Sequence, residues 1–170
     1  MAHITKYFFY TFLLVVLLSS CVKGKTEKML SYESVFFYYP KNWSVETNEL
    51  PGVSWLIEAN NGRDVLFISL TQKKIETEDF FNIYYQRKDT MQPQLSAEAV
   101  TPAKFGKYDC LSSKYKINDP PNRNYGIVYA FEAGGKHILV VKQSDTEESI
   151  ERNFKVIEDS FDIETKDTLS

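Results

Sequence analysis

Cys21 ends the stretch Leu18-Ser19-Ser20-Cys21, directly behind an eleven-residue apolar run at 8–18. Small residues leading into a cysteine form the pattern in which a leader is cut before the thiol and the sulfur takes up a diacylglycerol as a thioether. The surroundings fit that chemistry. Lys6 and the amino terminus place positive charge ahead of the run. Eleven apolar residues fall short of the roughly 20 that span a bilayer. An ordinary signal peptide that happens to hold a cysteine is the plainer alternative. Only two cysteines occur in 170 residues, and one stands at this position, which favours lipidation at Cys21. Cys110 is then the sole remaining thiol, so no intramolecular disulfide is expected. It lies in an alternating apolar strand and reads as a small buried hydrophobe rather than a nucleophile.

Other reactive groups are sparse. Once a leader is removed, His137 is the only histidine. It could serve as a general base or a metal ligand, but its place beside Gly134-Gly135 suits the edge of a hairpin. The sequence holds no Cys-x-x-Cys, His-Glu-x-x-His or EF-hand pattern, so the usual metal ligands are missing. It has no Gly-x-Ser-x-Gly, and a Ser-His-Asp triad would depend on His137 alone. The glycines near Arg63 and Lys136 lack the spacing of a phosphate loop. Glu78 with Asp79 belongs to a helix start, and a glycosidase-type carboxylate pair would be visible only in space. No cofactor, metal or catalytic residue is expected, and an enzyme is the minority reading.

The chain after residue 20 has 150 residues, enough for one domain that buries roughly 68–70% of its unfolded surface. Without Lys6 it carries 19 basic and 23 acidic residues, a net charge of −4 that gives no pull toward nucleic acid. The expected organisation is a lipoprotein signal peptide at 1–20, a lipidated cysteine and tether at 21–31, a single domain at 32–163 and a polar tail at 164–170. No acidic residue follows Cys21 closely. By analogy with lipoprotein sorting signals, this favours an outer membrane anchor with the domain facing the periplasm.

The elements that would position any site follow from periodicity. Val35–Tyr39 is a strand by its aromatic and β-branched content, and Pro40 ends it because proline cannot donate to a ladder. Trp43 re-enters the core. Val53–Glu58 and Asp64–Thr71 form strands joined at Asn61-Gly62, a pair suited to a type I′ turn. Thr77-Glu78-Asp79 opens a helix with Thr77 as cap, and Phe80, Ile83 and Tyr84 make its core stripe. Ala97–Phe105 and Tyr108–Ile117 join at Gly106-Lys107. Residues 118–124, NDPPNRN, are a stiff polar loop. Tyr125–Glu132 and His137–Gln143 pair across Gly134-Gly135, with apolar groups on both faces, and should be central. Asp145 with Glu148 fits a capping box, after which Ile150, Phe154, Ile157 and Phe161 form one apolar stripe. Glu147, Glu151, Glu158 and Asp159 should cover the solvated side. These elements make an α+β fold in which an antiparallel β-sheet of about six to seven strands is covered by helices on both faces.

An aromatic strand running into Tyr39-Pro40-x-x-Trp43 resembles the start of the PsbP-like and DcrB-like superfamily. Residues 137–141, HILVV, followed by an acid-capped helix ending Phe154-x-x-Ile157-x-x-Ser160-Phe161, resemble its close. Residues 104–117, KFGKYDCLSSKYKI, fit the strand pair between them. The resemblance covers about 32–163 and rests on packing motifs. It implies a PsbP-like sandwich. The members include an accessory subunit of the photosynthetic oxygen-evolving complex, a Ran-binding import factor, bacterial lipoproteins such as DcrB, and chaperones for secreted toxins. The resemblance implies partner binding without catalysis and supplies no active-site residues. It also bears on the aromatics at 36–39. In a strand Phe36 and Tyr38 point one way and Phe37 and Tyr39 the other. A flat carbohydrate platform needs them on one face, so a core role is expected.

The expected function is a lipid-anchored, non-catalytic accessory or binding protein of the bacterial cell envelope that engages a protein partner or an apolar segment. Arg123 and Tyr125, beside the polar loop, are the candidate partner-binding residues. The alternative is an immunity or inhibitor lipoprotein acting against a periplasmic toxin or lytic enzyme. A hydrolase of unrecognised type ranks third.

Overall fold

The computed structural model describes residues 26–50, 54–91, 95–118 and 123–164. Cys21, the apolar run and the tail beyond 164 lie outside the described residues, as do Pro93 and residues 119–122 of the polar loop.

The elements run β1 (Glu27–Tyr32), β2 (Val35–Pro40), β3 (Ser44–Leu50), β4 (Ser54–Asn60), β5 (Val65–Thr71), α1 (Thr77–Met91), β6 (Leu95–Ala97), β7 (Thr101–Phe105), β8 (Tyr108–Ile117), β9 (Tyr125–Ala133), β10 (Lys136–Ser144), α2 (Glu147–Asn153), α3 (Lys155–Ser160) and β11 (Asp162–Ile163). They form two antiparallel sheets. The larger has eight strands in the order β3-β4-β5-β10-β9-β8-β6, with β7 pairing the other part of β8. The smaller is β1-β2-β11.

Period-two patterning gives the large sheet two apolar faces. Ile127, Tyr129 and Phe131 of β9 join Leu66, Ile68 and Leu70 of β5 and Ile138 and Val140 of β10 in one core. Val35 and Phe37 of β2, with Ile150, Phe154, Ile157 and Phe161, close over it. On the opposite face Val128, Ala130 and Val141 meet Phe80 and Phe81 of α1. Burial of each large apolar side chain contributes about 1.5–3 kcal/mol.

The antiparallel α+β class holds, but the coverage differs from expectation. Among the described residues the main sheet has eight strands rather than six to seven, a second sheet has three, and helices do not cover both faces. The first face lies under the small sheet together with two short helices of 7 and 6 residues. Two causes are visible. Residues 27–31, expected in the tether, form β1, because Leu30 and Tyr32 turn inward with Phe37 and Val35 opposite them. The final apolar stripe does not run as one helix, because Phe154 (φ −95°, ψ −5°) ends α2 and begins α3.

Local details differ as well. Strand β3 was not expected. At Asn61-Gly62 only the glycine has positive φ (94°). The turn spans four residues, with the Asn61 N–H donating to Asp64 O at 3.1 Å. Asn61 Oδ1 accepts from the Arg63 and Asp64 N–H groups at 3.0 and 2.8 Å, so the side chain makes the turn. The cap of α2 is Thr146, whose Oγ1 accepts from Ser149 N–H at 3.2 Å, and not Asp145. Ile83, expected in the core, is 41% exposed, and Phe81 takes the buried place. Gly134 and Gly135, with φ of 57° and 69°, make the expected β9–β10 turn.

Candidate functional site

A groove of about 420 Å³ opens where β6, β8 and β9 meet the start of α2. Its lining includes Ser96, Glu98, Lys114, Lys116, Tyr125 and Glu147. The register explains the convergence. Lys116 lies opposite both Ser96 and Tyr125, and Lys114 lies opposite Ile127, so all five side chains belong to one sheet face. Lys116 Nζ stands 5.4 Å from the Tyr125 ring centroid. Lys114 Nζ reaches Glu147 Oε1 at 3.4 Å and Glu151 Oε1 at 3.7 Å. Such long, half-exposed pairs contribute at most about 1 kcal/mol. Both ammonium groups can therefore exchange their partners for groups on an incoming chain at small cost.

The wall behind the groove is rigid. The Tyr115 ring lies across Gly126, its cross-strand partner, so closely that a Cβ on Gly126 would stand 2.1 Å from Tyr115 Cζ. On the far face Tyr115 OH shares a 2.9 Å hydrogen bond with Tyr84 OH and accepts from Gln143 Nε2 at 2.5 Å. Tyr85 OH donates to Ser113 Oγ at 2.8 Å, and Ser113 Oγ donates to Glu98 O at 2.8 Å. Burial pushes the Tyr84 and Tyr115 phenols well above the usual tyrosine range, and that of Tyr85 upward, so all three remain neutral. The network ties α1 to β8 and β10 and fixes the strand carrying Lys114 and Lys116. Gly126→Ala should overpack this contact and cost about 1–3 kcal/mol. The check is a lowered denaturation midpoint at unchanged m-value, and Tyr115→Ala in the same chain should relieve part of the overpacking.

The structure places the two candidate partner-binding residues differently. Tyr125 lines the groove. Arg123 points away from it. At φ 63° its N–H donates to Asp145 Oδ1 at 2.8 Å, and its guanidinium reaches Gly62 O at 3.4 Å. Arg123 thus belongs to a polar clamp around Asp64, which is buried. Asp64 accepts from Ser144 Oγ at 2.6 Å, Asn61 Nδ2 at 2.8 Å and Asn153 Nδ2 at 2.9 Å. The clamp joins the β4–β5 turn to β10 and α2. Sequence reasoning missed Lys114, Lys116 and Glu98 as groove residues. Only the alternation of lysines with Leu111, Ser113, Tyr115 and Ile117 hinted at them.

His137 is buried, with Nδ1 3.0 Å from Glu132 Oε1 across the hairpin and its ring tilted against Phe80. A histidine beside an acid is one element of hydrolytic chemistry. Among the described residues no hydroxyl or thiol hydrogen-bonds the ring. Cys110 lines a separate cavity of about 340 Å³, and burial pushes its thiol up to about 11, which keeps it protonated at neutral pH. No cluster of three or more metal-ligating side chains occurs among the described residues, and no described helix is long and apolar enough to cross a membrane.

No family model and no curated protein sequence matches the chain. Solved structures do. The solution structure of cyanobacterial PsbP (CyanoP) from Synechocystis superposes with a TM-score of 0.56 at 16% identity, over 85% of this chain and 96% of that one. A crystal structure from Bacteroides thetaiotaomicron superposes with a TM-score of 0.54 at 13% identity. It matches 84% of this chain, which spans half of that longer chain. The chain therefore has a PsbP-like fold.

Proposed function

We propose that this is a small bacterial lipoprotein of PsbP-like fold, anchored through Cys21, that works without catalysis as an accessory or binding protein of the cell envelope. Its domain would face the periplasm from the outer membrane, and its partner would be another protein. The observation that carries the partner-binding part is the β8–β9 groove. Its two lysines are only loosely paired, and an aromatic ring and Ile127 lie beside them. Weakly committed charge next to apolar surface suits an extended protein segment of mixed polarity. The volume lies in the range of ligand clefts, but four of the nine lining residues are charged, where a small-molecule site would be largely apolar.

The test is photocrosslinking of the lipidated protein in its host, with a photoreactive amino acid at Tyr125 and, as control, at Asn48 on the far edge strand. A single protein crosslinked from 125 and not from 48, and lost in Lys114→Glu/Lys116→Glu, is the expected result. Cys21→Ala should also weaken it by removing the anchor. Equal crosslinking from both positions would overturn the groove as the binding surface. A toxin or lytic enzyme as the crosslinked species would turn the proposal toward the immunity reading.

A further inference from the structure

The outer face of the small sheet exposes apolar side chains that no described residue covers. Met29 of β1 and Tyr38 of β2 are direct cross-strand partners and are 55% and 40% exposed. Phe36 lies beside them, its ring edge-on to Tyr38 at 5.3 Å. Among the described residues the exposed large hydrophobics are Met29, Tyr38, Ile83 and Val100, so two of four meet at this one spot. The hairpin is well fixed. The Tyr38 N–H donates to Ser160 Oγ at 2.8 Å, and Lys136 Nζ donates to Glu33 O at 2.5 Å.

Chain length says what this face meets. Six residue steps separate Cys21 from Glu27. At ~3.3–3.6 Å each they reach about 20 Å when fully stretched. A domain of 150 residues has a radius of gyration of about 15 Å, hence a diameter near 40 Å. A cysteine whose acyl chains lie in a bilayer therefore cannot let the domain drift away or turn its far side to the lipid. β1 must stay within a domain radius of the surface. Lys23 and Lys25 stand between Cys21 and Glu27 in the sequence, so the segment joining the anchor to β1 carries positive charge. The acids on the same sheet face are Glu27 and Asp162, and Asp162 is neutralised by Lys107 at 2.6 Å. An aromatic and methionine patch whose link to the anchor carries two lysines matches a headgroup interface that includes anionic lipid.

We infer that the Met29–Phe36–Tyr38 face of the small sheet rests on the bilayer surface, so that the anchored domain has one fixed orientation and presents the rest of its surface outward. This rests on the lipidation reading of Cys21.

The experiment uses the full lipidated chain in vesicles of phosphatidylethanolamine and phosphatidylglycerol, in a Cys110→Ala background. A nitroxide is attached at Met29→Cys or, as control, at Ile83→Cys on α1, and collisions with oxygen and with a water-soluble nickel chelate are compared. The expected result is loss of chelate access at 29 with access retained at 83, and the same loss at Tyr38→Cys. Equal chelate access at 29 and 83 in protein whose Cys21 is acylated by mass spectrometry would overturn the docked face and leave the anchor standing. Absence of acylation on Cys21 would overturn both.

Discussion

Glu158→Ala should destabilise this fold by about 3–5 kcal/mol, and adding Lys142→Met should return most of that loss. Lys142 is 1% exposed, on the central strand β10, and its Nζ is paired with Glu158 Oε1 of α3. The ammonium also lies 5.1 Å from the Tyr129 ring centroid and 5.7 Å from that of Phe154. Removing the carboxylate leaves a buried cation with two ring faces and no counter-charge. Two ring contacts, worth about 2 kcal/mol each at best, do not offset that loss. Methionine at 142 fills similar volume without charge, so the double variant exchanges an ion pair for packing. For a chain of this size each kcal/mol moves the thermal midpoint by about 2–4 °C, which places Glu158→Ala roughly 6–20 °C below the parent. A double-mutant cycle from guanidinium unfolding isolates the coupling. A loss below about 1 kcal/mol for Glu158→Ala would mean that the ammonium reaches water. The effect should spread, because α3 also carries Ser160, which receives the β2 strand, and precedes Phe161 in the core.

That pair also shows where the sequence stops being legible. Lys142 shares parity with Ile138 and Val140 on a strand with apolar groups on both faces, and nothing in the pattern names its partner. Glu158 was placed on a solvated helix side by its spacing from the apolar stripe. Periodicity assigns faces, but it cannot show that a lysine from the sheet rises to meet an acid at the border of a stripe. The β1–β2 hairpin gives a second case. Its two-residue turn uses Glu33 and Ser34 at φ 49° and 73°, without glycine or asparagine. Left-handed backbone costs such residues about 1–2 kcal/mol each. The contacts that offset this come from Lys136, over a hundred residues away, so no local pattern announced the turn. By contrast, β9, β10 and the stripe from Ile150 to Phe161 were legible because alternation and 3.6 periodicity are local. The groove was half legible. Tyr125 followed from its place beside a stiff loop, whereas Lys114 and Lys116 needed the β6–β8–β9 register to bring Glu98 and Glu147 alongside.

Phe37→Ala should cost about 3–5 kcal/mol, while Tyr38→Ala, one residue on, should change stability by no more than about 0.5 kcal/mol. The contrast follows from strand geometry. Phe37 is fully buried and stacks on Phe161 with centroids 6.4 Å apart and 20° between planes. Tyr38 projects from the opposite side, and its backbone bond to Ser160 survives truncation. Both values come from chemical unfolding of the same non-lipidated domain, so the membrane plays no part in them. The pair separates two roles held by adjacent aromatics. Phe37 holds the small sheet onto the large one, whereas Tyr38 is free to contact whatever lies outside. A large stability loss at Tyr38 would make the outer ring part of the fold and would remove the reason for its exposure. A small loss at Phe37 would mean that the small sheet is held chiefly by its backbone ladder and by Lys136. In that case the anchored end of the domain could open without unfolding the large sheet, and a fixed orientation on a membrane would have no rigid element to transmit it.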